Sequence, residues 1–315
     1  MLLSRRSIIA VGLSAGFGVV ACARGQDSEN KDTESKETRR NEKLLSVCKS
    51  DLGEYKFEIT KPTPSSDIKH IPVMNWTNPV RDQVQIGYLG MWLSAGKPVA
   101  IGTAFCFPSP RAEEPGYMFV HEFHTLTLSS ISVTRDGKDF WESKEVAYKP
   151  GTFDNAELPG KSPTQRLRQM RMLAERFSAH SIDSKNQKYV LRLLPKPLYR
   201  YESPEGDGAI FAMVSDAGTD PEVLLVIETE AIGPEGQWRH GVIRYSDLNL
   251  FVSLDKQQIW SFENGGVWPI RDCGPAHRYR LHEDRIIPTP DEKTPTSGGS
   301  GDKKTEKSKS VQPKN

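Results

Sequence analysis

The stretch VTRDGKDFW, residues 133–141, decides the fold class. At its centre the Asp136-Gly137 pair supplies the positive φ angles that a two-residue hairpin turn needs. The spacing of Val, Asp and Trp returns in VSLDKQQIW, residues 252–260, 119 positions later. Extending that offset backwards without a gap sets Phe123 against Val242, His121 against His240 and Phe119 against Trp238. Further back, GYLGMWLSAGKPVAIG and GAIFAMVSDAGTDPEVLLVI both read as hairpins, starting 121 positions apart at Gly87 and Gly208. Pro79-Val80-Arg81 precedes one and Pro197-Leu198-Tyr199-Arg200 the other.

Each segment therefore runs hairpin, strand, hairpin, which predicts candidate repeats over residues 79–141 and 197–260. Two ordinary meanders sharing turns and aromatics for packing reasons give the same pattern. Sequential hairpins favour antiparallel neighbours. The expected fold is mainly β, an antiparallel sandwich or barrel-like unit, of two similar halves where the echo is a duplication, with one amphipathic α-helix. That helix is expected over residues 163–180, between the repeats. Ser162 is its N-cap, Pro163 its first residue and Gln165 completes a capping box. Leu167, Met170, Leu173, Ala174 and Phe177 form one apolar face. Arg166, Arg168, Arg171 and Arg176 make the rest basic, an anion-binding face or a solvated one paired with nearby carboxylates.

Both ends lie outside this unit. Residues 1–21 read as a twin-arginine signal peptide: Arg5-Arg6 precede an apolar run of 14 residues, 8–21. A bilayer-spanning helix needs about 20. The run ends Val19-Val20-Ala21-Cys22, which resembles a bacterial lipobox, so Cys22 is the candidate lipid-attachment residue; an uncleaved anchor or ordinary signal peptide is the alternative. Residues 22–44 carry charges of both signs and almost no apolar residue, the composition of a disordered tether. Residues 288–315 form a lysine-rich, equally disordered tail. Residues 45–287, roughly 240, suffice for a sizeable core. These features predict export and a lipid anchor in a membrane facing the periplasm or exterior, with the lipid bilayer and an unknown ligand or envelope component as partners.

The net charge of +1 gives no field that would draw nucleic acid. Beyond Cys22 the cysteines are Cys48, Cys106 and Cys273. An exported location permits a disulfide. Cys48 and Cys273, near the two ends of the folded region, are the candidate pair; three free thiols are the alternative. No nucleotide loop, dinucleotide fingerprint or nucleophile elbow is present, and no cofactor is expected. Trp76, Trp92, Trp141, Trp238, Trp260 and Trp268 suggest a sugar-stacking surface or, as most fall in strands, core packing.

HEFH, residues 121–124, sits one residue short of a helical zinc signature. On a strand the side chains alternate, so Phe119, His121 and Phe123 share one face and Glu122 and His124 the other. The two histidines then cannot chelate one ion, and no metal site is expected. His121 and His240 are candidate structural histidines. Glu122 and His124 are the candidate functional pair, since Gly241 and Ile243 stand at the corresponding positions. The preferred reading is a non-enzymatic binding or envelope-associated protein. The alternative is a hydrolase or metal-dependent enzyme using Glu122 and His124, with the segment Tyr199-Arg200-Tyr201.

Several phrases, HEFHTLTL, RLRQMRMLAERF, LRLLPKPLYRYE, DGAIFAMV and TDPEVLLVIE, together resemble a group of uncharacterised exported proteins of planctomycete-type bacteria. The resemblance covers roughly residues 76–260. It implies bacterial origin and export; it brings no activity, cofactor or site residue.

Overall fold

The computed structural model describes residues 24–79, 84–109, 116–202, 206–216, 218–232, 236–263 and 276–281. It is mainly β with antiparallel sheets. The first half runs α1 (Arg24–Gly53), β1 (Tyr55–Lys61), β2 (Ile68–Asn78), β3 (Gln85–Ser94), β4 (Lys97–Pro108), β5 (Tyr117–Thr125), β6 (Ser130–Arg135) and β7 (Lys138–Ser143). A two-residue strand β8 (Gly151–Thr152) follows. The second half runs α2 (Pro163–Ala174), β9 (Phe177–Ile182), β10 (Lys188–Leu193), β11 (Tyr199–Glu202), β12 (Asp207–Ser215), β13 (Pro221–Thr229), β14 (Trp238–Arg244), β15 (Asn249–Leu254) and β16 (Gln257–Phe262). Strand β17 (His277–Leu281) follows.

The two halves have the same connectivity. A helix comes first, then a strand that pairs with the first strand of the last hairpin: β1 with β6, β9 with β15. The next segment pairs with the first strand of a three-stranded meander: β2 with β3, and β10 and β11 with β12. The closing hairpins match residue for residue. Val133 faces Trp141 and Val252 faces Trp260, and each pairing shifts register immediately afterwards. The turns match as well, with φ of 53° and 70° at Asp136 and Gly137 and 49° and 69° at Asp255 and Lys256. The halves differ in one respect: β9 also pairs with β10, making one nine-stranded sheet, whereas β1 stays apart from β2 and leaves sheets of three and five strands.

Each meander has two buried faces, because a helix covers one and the opposite meander the other. In the first half Ala104, Phe119, Phe123, Ile131 and Val133 pack with Leu44, Cys48 and Leu52 of α1. In the second, Phe211, Leu225, Ile227, Val242 and Val252 pack with Met170, Leu173 and Ala174 of α2. Leu89, Met91 and Ile101 from one meander meet Ile210, Leu224, Val226 and Ile243 from the other in a third cluster. Each buried Val, Leu, Ile, Phe or Met among them contributes about 1.5–3 kcal/mol by leaving water. The central architecture is thus a sandwich of two meanders with a helix outside each. Edge strands are exchanged between halves: β8 pairs with β14, and β17 pairs with β5.

Three expectations change. There are two helices among the described residues, not one. The backbone is helical from Arg24, where a tether was expected over residues 22–44. The first part of α1 is charged throughout, and it is anchored only where Leu44, Cys48 and Leu52 recur every four residues on a buried face. The helix expected over 163–180 begins at its capping box but stops at Ala174. Phe177, Ala179 and Ser181 are buried on alternate positions, and pairing of Ala179 with Val252 claims them for a strand. Phe177 satisfies both periods, and tertiary pairing decides between them.

Candidate functional site

Strand β5 is buried along almost its whole length, and alternation sends neighbouring residues to opposite sides. Phe119, His121 and Phe123 turn towards α1 and β1; Glu122 and His124 turn towards the other half. Both members of that pair are enclosed, with 6% of Glu122 and 0% of His124 exposed. The His124 Nε2 lies 3.1 Å from a Glu122 Oε1. The approach is off line, so neither atom makes a well-aligned hydrogen bond. On the opposite side of the ring, His124 Nδ1 meets Nδ1 of His277 at 2.5 Å. Arg244 Nη2 stands 3.6 Å from the Glu122 oxygen. The Tyr245 ring leans on His124, centroids 4.8 Å apart.

Burial opposes the ionisation of Glu122, but the neighbouring His124 and Arg244 outweigh it and hold the carboxyl below its ordinary value. Burial also lowers His124, against the pull of Glu122. The arrangement consistent with both is a carboxylate answered by Arg244, beside a neutral imidazole. His277 falls to about 2, chiefly by burial and then by the nearness of His124 and Arg244. Burial and Glu122 push the Tyr245 hydroxyl well above its usual range. In chemical terms the cluster can share protons internally. It does not converge on a metal: Glu122 and His277 approach opposite nitrogens of one ring, so no point faces all three. Among the described residues no group of three or more His, Cys, Asp or Glu could hold a metal ion.

His121 and His240 occupy corresponding places in different chemistry. His121 is fully buried; Nδ1 meets the Tyr55 hydroxyl at 2.8 Å and Nε2 meets Asp51 at 3.1 Å. Arg135 Nη1 donates to the same hydroxyl at 3.1 Å and pairs with Glu54. That network ties α1, β1, β5 and β6 together. His240 instead packs edge-on against Phe153 and Phe177, centroids 4.9 and 5.4 Å away.

Of the four arginines expected on a basic helical face, Arg166 and Arg176 are paired with carboxylates, and Arg168 and Arg171 are exposed. Arg166 Nε donates to Asp207 at 2.7 Å, with both residues buried. Arg176 bonds to Asp255. In the Tyr199-Arg200-Tyr201 segment, Arg200 also binds Asp207, at 2.7 Å, and the Tyr201 hydroxyl donates to Glu228 at 2.7 Å. Tyr148 donates to the other Glu228 oxygen at 3.1 Å. The segment therefore does not join Glu122 and His124. Trp76, Trp92, Trp141 and Trp238 are buried, and Trp260 is packed on the second core. Cys48 and Cys106 are buried in one cluster. Cys22, Trp268 and Cys273, with the signal peptide and the tail, lie outside the described residues, so the Cys48–Cys273 pairing has no counterpart to examine.

Sequence reasoning missed His277, Arg244 and Tyr245. Two of them were within its reach, because the offset of 119 that sets His121 on His240 sets Thr125-Leu126 on Arg244-Tyr245. His277 is 153 residues from its partner and carries no local signal. Comparison with protein-family models, curated proteins and solved structures finds no match to this chain. No helix among the described residues is long and apolar enough to cross a membrane.

Proposed function

We propose that this chain is an exported envelope protein, lipid-anchored through Cys22, that binds a component of its surroundings rather than transforming one. The anchor rests on Arg5-Arg6, the short apolar run and Val19-Val20-Ala21-Cys22. Its resemblance to exported planctomycete-type proteins agrees with that placement. The observation that carries the non-enzymatic part is the enclosure of Glu122 and His124 between two sheets. A general acid or base must come within hydrogen-bond reach of its substrate, and a pair enclosed on all sides offers no such approach.

The test has two arms, run in a bacterial host with the export route. Cys22→Ala is expected to move the protein from the membrane fraction to the soluble one, with loss of incorporated radiolabelled palmitate. Unchanged membrane association without label in the wild type contradicts the anchor. Separately, Glu122→Gln is screened beside wild type against ester, amide and glycoside substrates. Turnover by the wild type that vanishes in the variant contradicts the binding reading.

A further inference from the structure

We infer that β17 is an acid-releasable strap: the edge strand that the second half lends to β5 is held by a histidine–histidine contact that a second proton breaks. The pairing runs from His277 opposite His124 to Leu281 opposite Val120. It is extended at one end by the Thr125 N–H, which donates to the Ala276 carbonyl at 3.0 Å. Beyond the backbone ladder, the side-chain clasp is the Nδ1–Nδ1 contact. That contact needs one nitrogen with its proton and one bare. With both nitrogens protonated there is no acceptor, and the ring that took the second proton is a cation facing an N–H in a dry site.

The surroundings sharpen this requirement. From β5 itself Glu122 approaches the far nitrogen of His124, and from the end of β14 Arg244 reaches Glu122. Tyr245 lies against the His124 ring, and the Tyr245 N–H donates to the carbonyl of the buried Glu222 in β13. Arg278 turns the other way, its guanidinium 5.4 Å from the Phe140 ring centre. The one carboxylate contacting the cluster's side chains is thus held between Arg244 and the remote side of His124; none contacts His277 among the described residues. The cluster is also weakly satisfied: among the described residues Glu122 Oε1, His124 Nε2, Arg244 Nη1 and Tyr245 Oη lack hydrogen-bond partners. A buried polar atom without a partner destabilises the closed state, so this seam is a place where the fold opens readily. The strand lent the other way, β8, is held differently, by a hydrogen bond between the His240 ring and the Thr152 backbone rather than by a pair of histidines.

Amide hydrogen exchange on the full chain from pH 7.5 to 4.5, corrected for intrinsic rates, reads the opening directly. The opening constant of the β5–β17 amides is expected to rise about tenfold per pH unit below the ordinary histidine range for each histidine released. Amides joining β12 and β13 should hold steady over the same range. His277→Gln, which cannot acquire the charge, should lower the slope, and the His124→Gln/His277→Gln double variant should flatten it. A wild-type profile that is flat, or that rises together with the β12–β13 amides, overturns the proposal even if a variant fails to fold. So does a double variant that keeps the wild-type slope.

Discussion

The two halves lay one backbone plan over opposite chemistries. At one pair of equivalent positions the first half has Tyr55 opposite Arg135, and the second has Phe177 opposite Leu254. Thus the histidine on the meander is wired to Asp51 and Tyr55 in one half and wedged among phenylalanines in the other. Elsewhere the polarity reverses. Trp76 lies over Gly87 beside Phe105 in the first half. In the second, Tyr201 lies over Gly208 and bonds to Glu228. A Cβ on either glycine would come within 2.1–2.2 Å of the ring above it, so both positions exclude a side chain. On the outer sheets, Glu58 beside Ser132 corresponds to His180 stacked on Phe251. What the halves share is turn geometry, strand period and close backbone approach. Polar networks are local solutions laid on that frame.

The largest effect should come from the buried ion cluster of the second half, at a position where the first half has apolar Ile86. Asp207→Asn leaves Arg166 buried with reduced compensation and is expected to cost about 3–5 kcal/mol in urea denaturation. A loss below 1 kcal/mol would mean that Arg166 reaches water. Next comes the histidine pair. His121→Phe removes the hydrogen bonds from the ring to Asp51 and Tyr55, leaving both to Arg135, and should cost about 2–3 kcal/mol. His240→Phe keeps its aromatic neighbours, loses one hydrogen bond to the Thr152 backbone and should cost about 1 kcal/mol. Equal losses would erase the distinction between the two environments.

Acid should separate the halves further. His124 and His277 are held below the ordinary 6.5 in the folded state, so below that pH the unfolded chain binds more protons. Their contribution to stability is complete above about pH 6.5 and shrinks as pH falls, by about 1.4 kcal/mol per unit for each histidine. Replacing both by glutamine should remove that part of the slope in urea midpoints measured at successive pH values. The smallest effect is in the hairpin turns. Lys256 sits at φ 69° where the other half has Gly137 at 70°. Lys256→Gly should therefore stabilise by roughly 0.5–1 kcal/mol, read as a rise in Tm. A fall would indicate that the lysine side chain holds the turn.

How much of this was legible depended on range. The hairpin at residues 133–141, its echo 119 positions on, and the start of α2 follow from neighbouring residues, and each has its place in the fold. The division between Glu122 and His121 followed from strand alternation alone. Helix α1 was hidden because its charged stretch has no apolar period until Leu44. Helix α2 lies between residues 141 and 197 as expected, but its counterpart α1 could not be seen, so its place at the head of the second half was not legible. Contacts such as Arg166–Asp207 and His124–His277 depend on strands far apart in the chain, and no local pattern encodes them.

Glu122 and His124 belong to a closed seam between two similar halves, and histidine side-chain NMR on labelled protein can see whether it is closed. The His124 and His277 rings should remain neutral through pH 6 while β5 stays protected from exchange. Ordinary titration of either ring near 6.5, with the β5–β17 ladder still intact, would contradict it and show a site open to solvent.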